Sequence, residues 1–241
     1  MALPVITAMK HELIIPSSGD KVTFRPFLVK EEKILMMAMQ SGEPKDMVRA
    51  LKDIIKNCVE DEIDTSKLAL FDIEYIFLHL RAKSIGEIVE VSYSEPDVFC
   101  EKNKNQRCIF ELKVNLDEIE VIKDDKHNSL VDITDKIKVK LKYPKIEDTE
   151  NYGSMENVDN IFKLIISCID YIMDGEEMHK TSDYTEEEVD TFLSSLSADQ
   201  FKNITTFFET MPRVSKDITG KCGQCGKEQN KTLTGIQDFF G

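Results

Sequence analysis

The chain has 241 residues, with 31 basic side chains against 45 acidic ones and a formal net charge of −14. A charge of that sign weighs against binding through phosphate neutralisation, which needs clustered Lys and Arg; it suits a solvated acidic surface or a basic partner. Apolar content of 41% and charged content of 32% belong to a folded globular protein, and no run of about 18 apolar residues marks a membrane span.

The N-terminus, MALPVITAMKHELIIP, has no charged leader followed by a long apolar core, so no signal peptide is expected. Six cysteines then read as reduced thiols of a cytosol. Residues 1–27 are expected to form a β-hairpin. His11 to Ile15 and Lys21 to Phe27 are β-rich runs around the turn cluster Pro16-Ser17-Ser18-Gly19-Asp20. Three helices follow in a small bundle. The first carries Leu28, Ile34, Leu35, Ala38 and Met39 and stops at Gly42. The second begins near Pro44, whose missing N–H is harmless in a first turn, and repeats Met47, Leu51, Ile54, Ile55 and Cys58 on one face. The third runs through Phe71, Ile73, Tyr75, Ile76, Leu78 and Leu80 to Gly86.

From Glu87 the period changes to two, with Val89, Val91 and Tyr93 alternating against Ile88, Glu90 and Ser92. Pro96-Asp97 breaks that run, and Cys100 and Cys108 bracket a polar loop, EKNKNQR. Strands are expected at Ile109 to Val114, at Ile119 to Ile122, and at Lys136 to Tyr143, where lysines alternate with Ile137, Val139 and Leu141. Pro144 to Gly153 reads as a linker. Val158, Ile161, Phe162, Ile165, Cys168, Ile169 and Ile172 then predict one long helix from about Met155 to Met173, capped by Gly175. It is Ile-rich nearly all round and so must be covered, by core or by another protein. Glu176 to Asp183 reads as an exposed acidic loop. Capping-box patterns at Thr185 and Ser197 open two further helices, the second ending before Pro212. The last 29 residues read as strand, CGQCG knuckle, strand and the tail GIQDFFG.

Helices, then strands, then helices and a terminal hairpin indicate an α+β fold. Three parts are expected: 1–86, a hairpin with a helical bundle; 87–150, an antiparallel β region with the Cys100/Cys108 loop; and 151–241, helices ending in a zinc-ribbon-like knuckle. A strand, a cysteine pair and a strand recur at 88–122 and 214–240, too loosely to make a repeat.

One motif carries chemistry. In Cys222-Gly223-Gln224-Cys225-Gly226, two thiolates three positions apart can grip one face of a tetrahedral Zn²⁺, and the glycines let the backbone turn its N–H groups toward the sulfurs. A structural zinc needs four ligands, so this pair is half a site, and Cys100 and Cys108 are the candidates for the other half. The competing readings are a tight turn that holds no metal and a redox CxxC. Redox motifs of that kind open a helix after a strand, whereas Gly226-Lys227-Glu228 leads into another strand. Cys58 and Cys168 lie on apolar faces and read as core thiols. His11, His79, His127 and His179 are scattered without metal-ligand spacing, and no phosphate-loop, dinucleotide or nucleophile-elbow motif occurs. No catalytic residues are assigned.

FRPFLVKEEKILMMAMQS, IKNCVEDEID, LALFDIEYIFLHLRAKSIGEIVEV, FFETMP and the end CGQCGKEQNKTLTGIQDFFG resemble the T4-like bacteriophage baseplate hub assembly proteins. The similarity spans nearly the whole chain. It implies a non-enzymatic myovirus tail protein, a hub subunit or an assembly chaperone, whose partners are other baseplate hub or tape-measure proteins. It would act in the host cytoplasm during tail assembly or in the virion baseplate. The family's cysteine region is more compact than the Cys100/Cys108 pair here. Two other readings stay open: a zinc-ribbon adaptor contacting nucleic acid or a regulatory partner, disfavoured by the acidic balance, and an enzyme with a cleft, for which no convergent titratable set is visible.

Overall fold

A computed structural model of the chain describes residues 8–148 and 157–239. Among them lie seven α-helices and several sheets, every strand pair of which is antiparallel.

Strands β1 (His11–Ile14) and β2 (Lys21–Phe24) pair in the register His11↔Phe24 to Ile14↔Lys21. Leu13, Val22 and Phe24 point inward. The second strand stops before Phe27 because the Arg25 N–H leaves the ladder and donates to the Cys58 carbonyl at 3.0 Å, and Pro26 has no N–H to give. Helix α1 (Val29–Ser41) ends at Gly42, which adopts the left-handed φ of 68°. Helix α2 (Pro44–Cys58) buries Leu51, Ile54, Ile55 and Cys58 along one face. Helix α3 (Leu70–Ile85) starts at Ala69, where the buried Asp72 carboxylate accepts the Ala69 and Ser17 N–H groups. One side chain thus satisfies the helix start and ties it to the hairpin turn.

Helix α3 is the axis of the molecule. Ile73, Ile76, Phe77 and Leu80 pack with Phe24, Ile54 and Ile55. Phe71, Leu78 and Ala82 face the opposite way, against Leu112, Val114, Leu116, Val214, Leu233 and Phe239. A helix with two opposite apolar faces is stable here because both are covered. Helix α1 differs from its sequence expectation. It buries only Glu31 and Ala38; Ile34 and Leu35 are half-buried, and Leu28 and Met39 are exposed.

The second cluster sits on a five-stranded sheet. β3 (Ile88–Tyr93) pairs β6 (Phe110–Asn115), β6 meets β12 (Arg213–Cys222), and β12 pairs both β13 (Glu228–Thr234) and β7 (Glu120–Ile122). The segment expected as a polar loop between Cys100 and Cys108 instead forms a ribbon, β4 (Phe99–Cys100) against β5 (Asn103–Arg107). Its side chains are exposed, so hydropathy gives no sign of the backbone pairing.

A four-stranded sheet orders β11–β10–β9–β8, with β8 (Leu130–Asp132) and β9 (Ile137–Leu141) joined to β10 (Ile169–Asp174) and β11 (Glu177–Lys180). This corrects the long helix expected to reach Met173. Helix α4 (Val158–Cys168) ends where Ile169 turns extended, at φ −76° and ψ 124°. The expected start at Met155 lies outside the described residues. Tertiary pairing decides the switch: Ile169, Ile172 and Met173 lie opposite Leu141, Val139 and Lys138, so β9 recruits them as its neighbour. Gly175 is the first residue of a two-residue hairpin loop, not a helix cap, and its φ of 61° is what that turn requires. Glu176 to Asp183 accordingly holds β11 and a 3-10 turn, Thr181–Asp183. Helices α5 (Glu186–Ser194) and α6 (Ala198–Thr210) cover this sheet through Val189, Leu193, Ile204 and Phe207. The chain closes with α7 (Gly235–Asp238). Both sheets take strands from 87–150 and from 151–241, so neither is confined to one of those segments. Among the described residues no helix is long and apolar enough to cross a membrane.

Candidate metal centre

β12 and β6 pair at two positions only, Lys221↔Glu111 and Cys222↔Phe110. That register sets Cys222, the last residue of β12, beside the start of β6, two residues after Cys108. Beyond Cys222 the chain turns tightly. The Gly226 N–H donates to the Cys222 carbonyl at 2.9 Å, the Cys222 N–H donates to the Lys227 carbonyl at 2.8 Å, and Gly226 takes φ 78°. Cys225 is thereby returned to the same side as Cys222. On the facing ribbon, the Cys108 N–H donates to the Val98 carbonyl at 2.8 Å, holding β4 and Cys100 alongside.

All four sequence-predicted cysteines therefore meet. The sulfurs of Cys100, Cys108, Cys222 and Cys225 lie within 4.8 Å of one another. Cys100, Cys108 and Cys222 are buried, Cys225 is half-exposed, and none is in a disulfide. The Cys108 and Cys225 sulfurs are 3.7 Å apart. Four sulfurs bonded tetrahedrally at about 2.3 Å would stand about 3.8 Å from one another, so the spacing suits a shared ion and is far too long for an S–S bond.

The electrostatics favour thiolates at the knuckle. The Cys225 thiol is held down to about 6, first by the Lys227 backbone N–H and then by that of Glu101. Backbone N–H groups of Cys225 and Gln224 hold Cys222 below the usual thiol range. Cys108 is pushed up to about 12, by burial and then by hydrogen bonding to the sulfurs of Cys222 and Cys225. Crowded thiols with no cation compete for protons, and a divalent ion relieves that competition. Cys58 and Cys168 stand apart in the core, and burial pushes their thiols up to about 11 and about 12. None of the four histidines joins the cluster.

Two neighbours went unread in the sequence. The Gln224 Oε1 lies 3.6 Å from the Cys100 sulfur, and Glu101 supplies its backbone N–H to Cys225. The only advance signal for Glu101 is that it follows a candidate ligand directly.

The sequence model of the family described as "T4 bacteriophage base plate protein" matches residues 8–241. The chain belongs to that family. It is 25% identical over 223 residues to the baseplate hub assembly protein gp26 of Enterobacteria phage T4, covering 92% of this chain and 94% of the relative. No solved structure matches the chain. Membership of this family supports a role in phage baseplate assembly and contacts with other baseplate proteins.

Proposed function

We propose that this protein assists assembly of the central baseplate hub by presenting folded surfaces to other hub or tape-measure proteins, without transforming a substrate. The near full-length match to a hub assembly protein supports this reading. Its place of action is the host cytoplasm during tail assembly, as a chaperone, or the virion baseplate, as a retained subunit. Expression with tagged protein in infected cells, followed by comparison of captured proteins with those of mature particles, separates an assembly chaperone from a retained subunit. Capture of no hub or tail component would sink the proposal.

The four-thiol cluster carries the second half of the reading. Cys100, Cys108, Cys222 and Cys225 hold one structural Zn²⁺, which staples the β4–β5 ribbon and the start of β6 to the C-terminal knuckle. All four ligands come from the protein, so the ion keeps no open position for substrate and serves the fold. Elemental analysis of the purified protein is expected to give about one zinc per chain, lost in Cys225→Ser together with cooperative unfolding at the wild-type temperature. A metal-free wild type of undiminished stability would refute the assignment. A nucleic-acid adaptor remains disfavoured by the charge of −14; retention of nucleic acid on a filter at low salt would revive it.

A further inference from the structure

We propose that the groove between the β10–β11 hairpin and helix α5 docks a basic segment of a partner protein, which inserts one large apolar side chain and sets its lysines or arginines against two opposed carboxylates. The inference deepens the assembly reading above and rests on it. The groove follows from the sheet register. Val131, Val139, Ile172 and His179 are successive cross-strand neighbours, so they form one row on the face that α5 and α6 cover. Toward the hairpin that cover is incomplete. Ile137, Ile172 and Phe192 pack on the core of this sheet yet stay half-buried, and with Val189 they floor an open groove of about 410 Å³. His179 Nδ1 and the Tyr184 hydroxyl, 2.8 Å apart in hydrogen-bond contact, close one wall.

The charges around this floor select the occupant. The next row of the same face is Ile137, Asp174 and Glu177, which sets two exposed carboxylates directly opposite each other at the mouth of the groove. Like charges so placed cost stability, and a cation from outside relieves the cost. The chain supplies none. Nine acidic side chains and one lysine occur between residues 170 and 190. Among the described residues no lysine or arginine pairs with any of the nine, Lys180 and Lys136 included; Glu177 reaches only His179, at 4.0 Å, and Lys138 is engaged by Asp132. Glu186, Glu187 and Glu188 have a local use, in the first turn of α5 and its capping box. Asp174 and Glu177 have no such use. An apolar floor beside an unbalanced carboxylate pair rejects an acidic occupant and leaves a purely apolar one with the repulsion unrelieved. A cationic segment with one apolar anchor answers both features at once.

Fluorescence anisotropy of the full chain with labelled synthetic peptides tests this. The probe is a lysine-rich peptide with one central phenylalanine; one twin carries serine for the phenylalanine and another glutamates for the lysines. The probe is expected to bind, the serine twin about tenfold more weakly, and the glutamate twin not at all. Asp174→Asn/Glu177→Gln removes a repulsive pair at exposed positions, so it should fold and melt at least as well as wild type while the probe's Kd rises about tenfold. Glu32→Gln/Glu43→Gln makes the same charge change in the helical bundle and should leave the Kd near wild type. Tyr184→Ala opens the wall and should weaken the probe without moving the serine twin. No binding of the probe, equal affinity for the serine twin, or equal loss in the two charge variants would each overturn the proposal. So would self-association of the chain in sedimentation equilibrium that Asp174→Asn/Glu177→Gln alters, since that gives the groove to a second copy. Lost peptide binding with hub components still captured from infected cells refutes the groove alone. Retained peptide binding with no hub component captured refutes the assembly reading instead.

Discussion

Replacing Glu74 by Gln should stabilise the protein at alkaline pH and hardly at all in acid. Glu74 lies on α3 beneath the C-terminal turn, where its Oε1 accepts the Ile236 N–H at 3.3 Å. A Cβ on Gly235 would come within 3.1 Å of the same oxygen, so the chain end closes down on the carboxyl. Desolvation raises its pKa from 4.5 to about 7, with the Ile236 hydrogen bond opposing only part of the rise. Because the folded value lies above the unfolded one, the folded state holds more protons between pH 4.5 and 7. Its stability therefore falls as pH rises through that window and stays reduced above it. At about 1.4 kcal/mol per pH unit, the interval corresponds to about 3 kcal/mol. Gln has the same shape, still accepts the Ile236 N–H and cannot ionise. Urea unfolding of both proteins, compared at fixed slope, should show a difference under about 1 kcal/mol at pH 5 that grows to about 3 kcal/mol at pH 8. A constant offset at every pH, or a variant less stable at pH 8, would refute the account of Glu74 as a carboxylate desolvated by the chain end.

Two further perturbations read other parts of the molecule. Arg25→Ala removes the guanidinium that donates to Glu31 Oε1 at 3.0 Å, leaving a carboxylate with no solvent exposure supported by the Leu28 N–H and the exposed Lys30. A loss of about 3 kcal/mol is expected in chemical denaturation, and Glu31→Gln in the same background should recover part of it; no loss would mean that Lys30 alone balances the charge. Gly220→Ala puts a methyl 2.7 Å from Leu112 Cδ2 and 3.0 Å from Phe110 Cβ, beside the Tyr93 ring. Overpacking there should cost about 1–3 kcal/mol and lower the melting temperature, and an unchanged melting temperature would show that the β6–β12 crossing is looser than drawn.

What the sequence reveals depends on whether an element is specified locally. Helix α2 is legible because Leu51, Ile54, Ile55 and Cys58 share one buried face, and their spacing alone says so. The helices after Thr185 and Ser197 are legible because both capping boxes close: the Glu188 carboxylate accepts the Thr185 N–H at 2.8 Å, and the Gln200 side-chain carbonyl accepts the Ser197 N–H at 2.9 Å. Helix α1 has a comparable apolar count yet packs chiefly on α2. Its periodicity therefore marks residues able to be buried, not residues that are.

The long-helix error and the thiol cluster have one physical origin. Ile165, Ile169 and Ile172 fit a helical repeat, but the chain from Ile169 onward is claimed by β9, whose own alternation leaves an edge to be paired. No local signal records that claim. The cysteines behave the same way. Cys222 and Cys225 are readable as a pair from their glycines, whereas Cys100 and Cys108 acquire meaning only from the β6–β12 register. That ladder is two residue pairs long, too short to fix a register by backbone hydrogen bonds alone. A slip by one residue would turn Cys222 to the opposite face of the sheet and dismantle the cluster. The four thiols therefore sit at the shortest ladder of the five-stranded sheet. An ion bound there would specify the register as well as stabilise it, which gives the metal a reason to be structural.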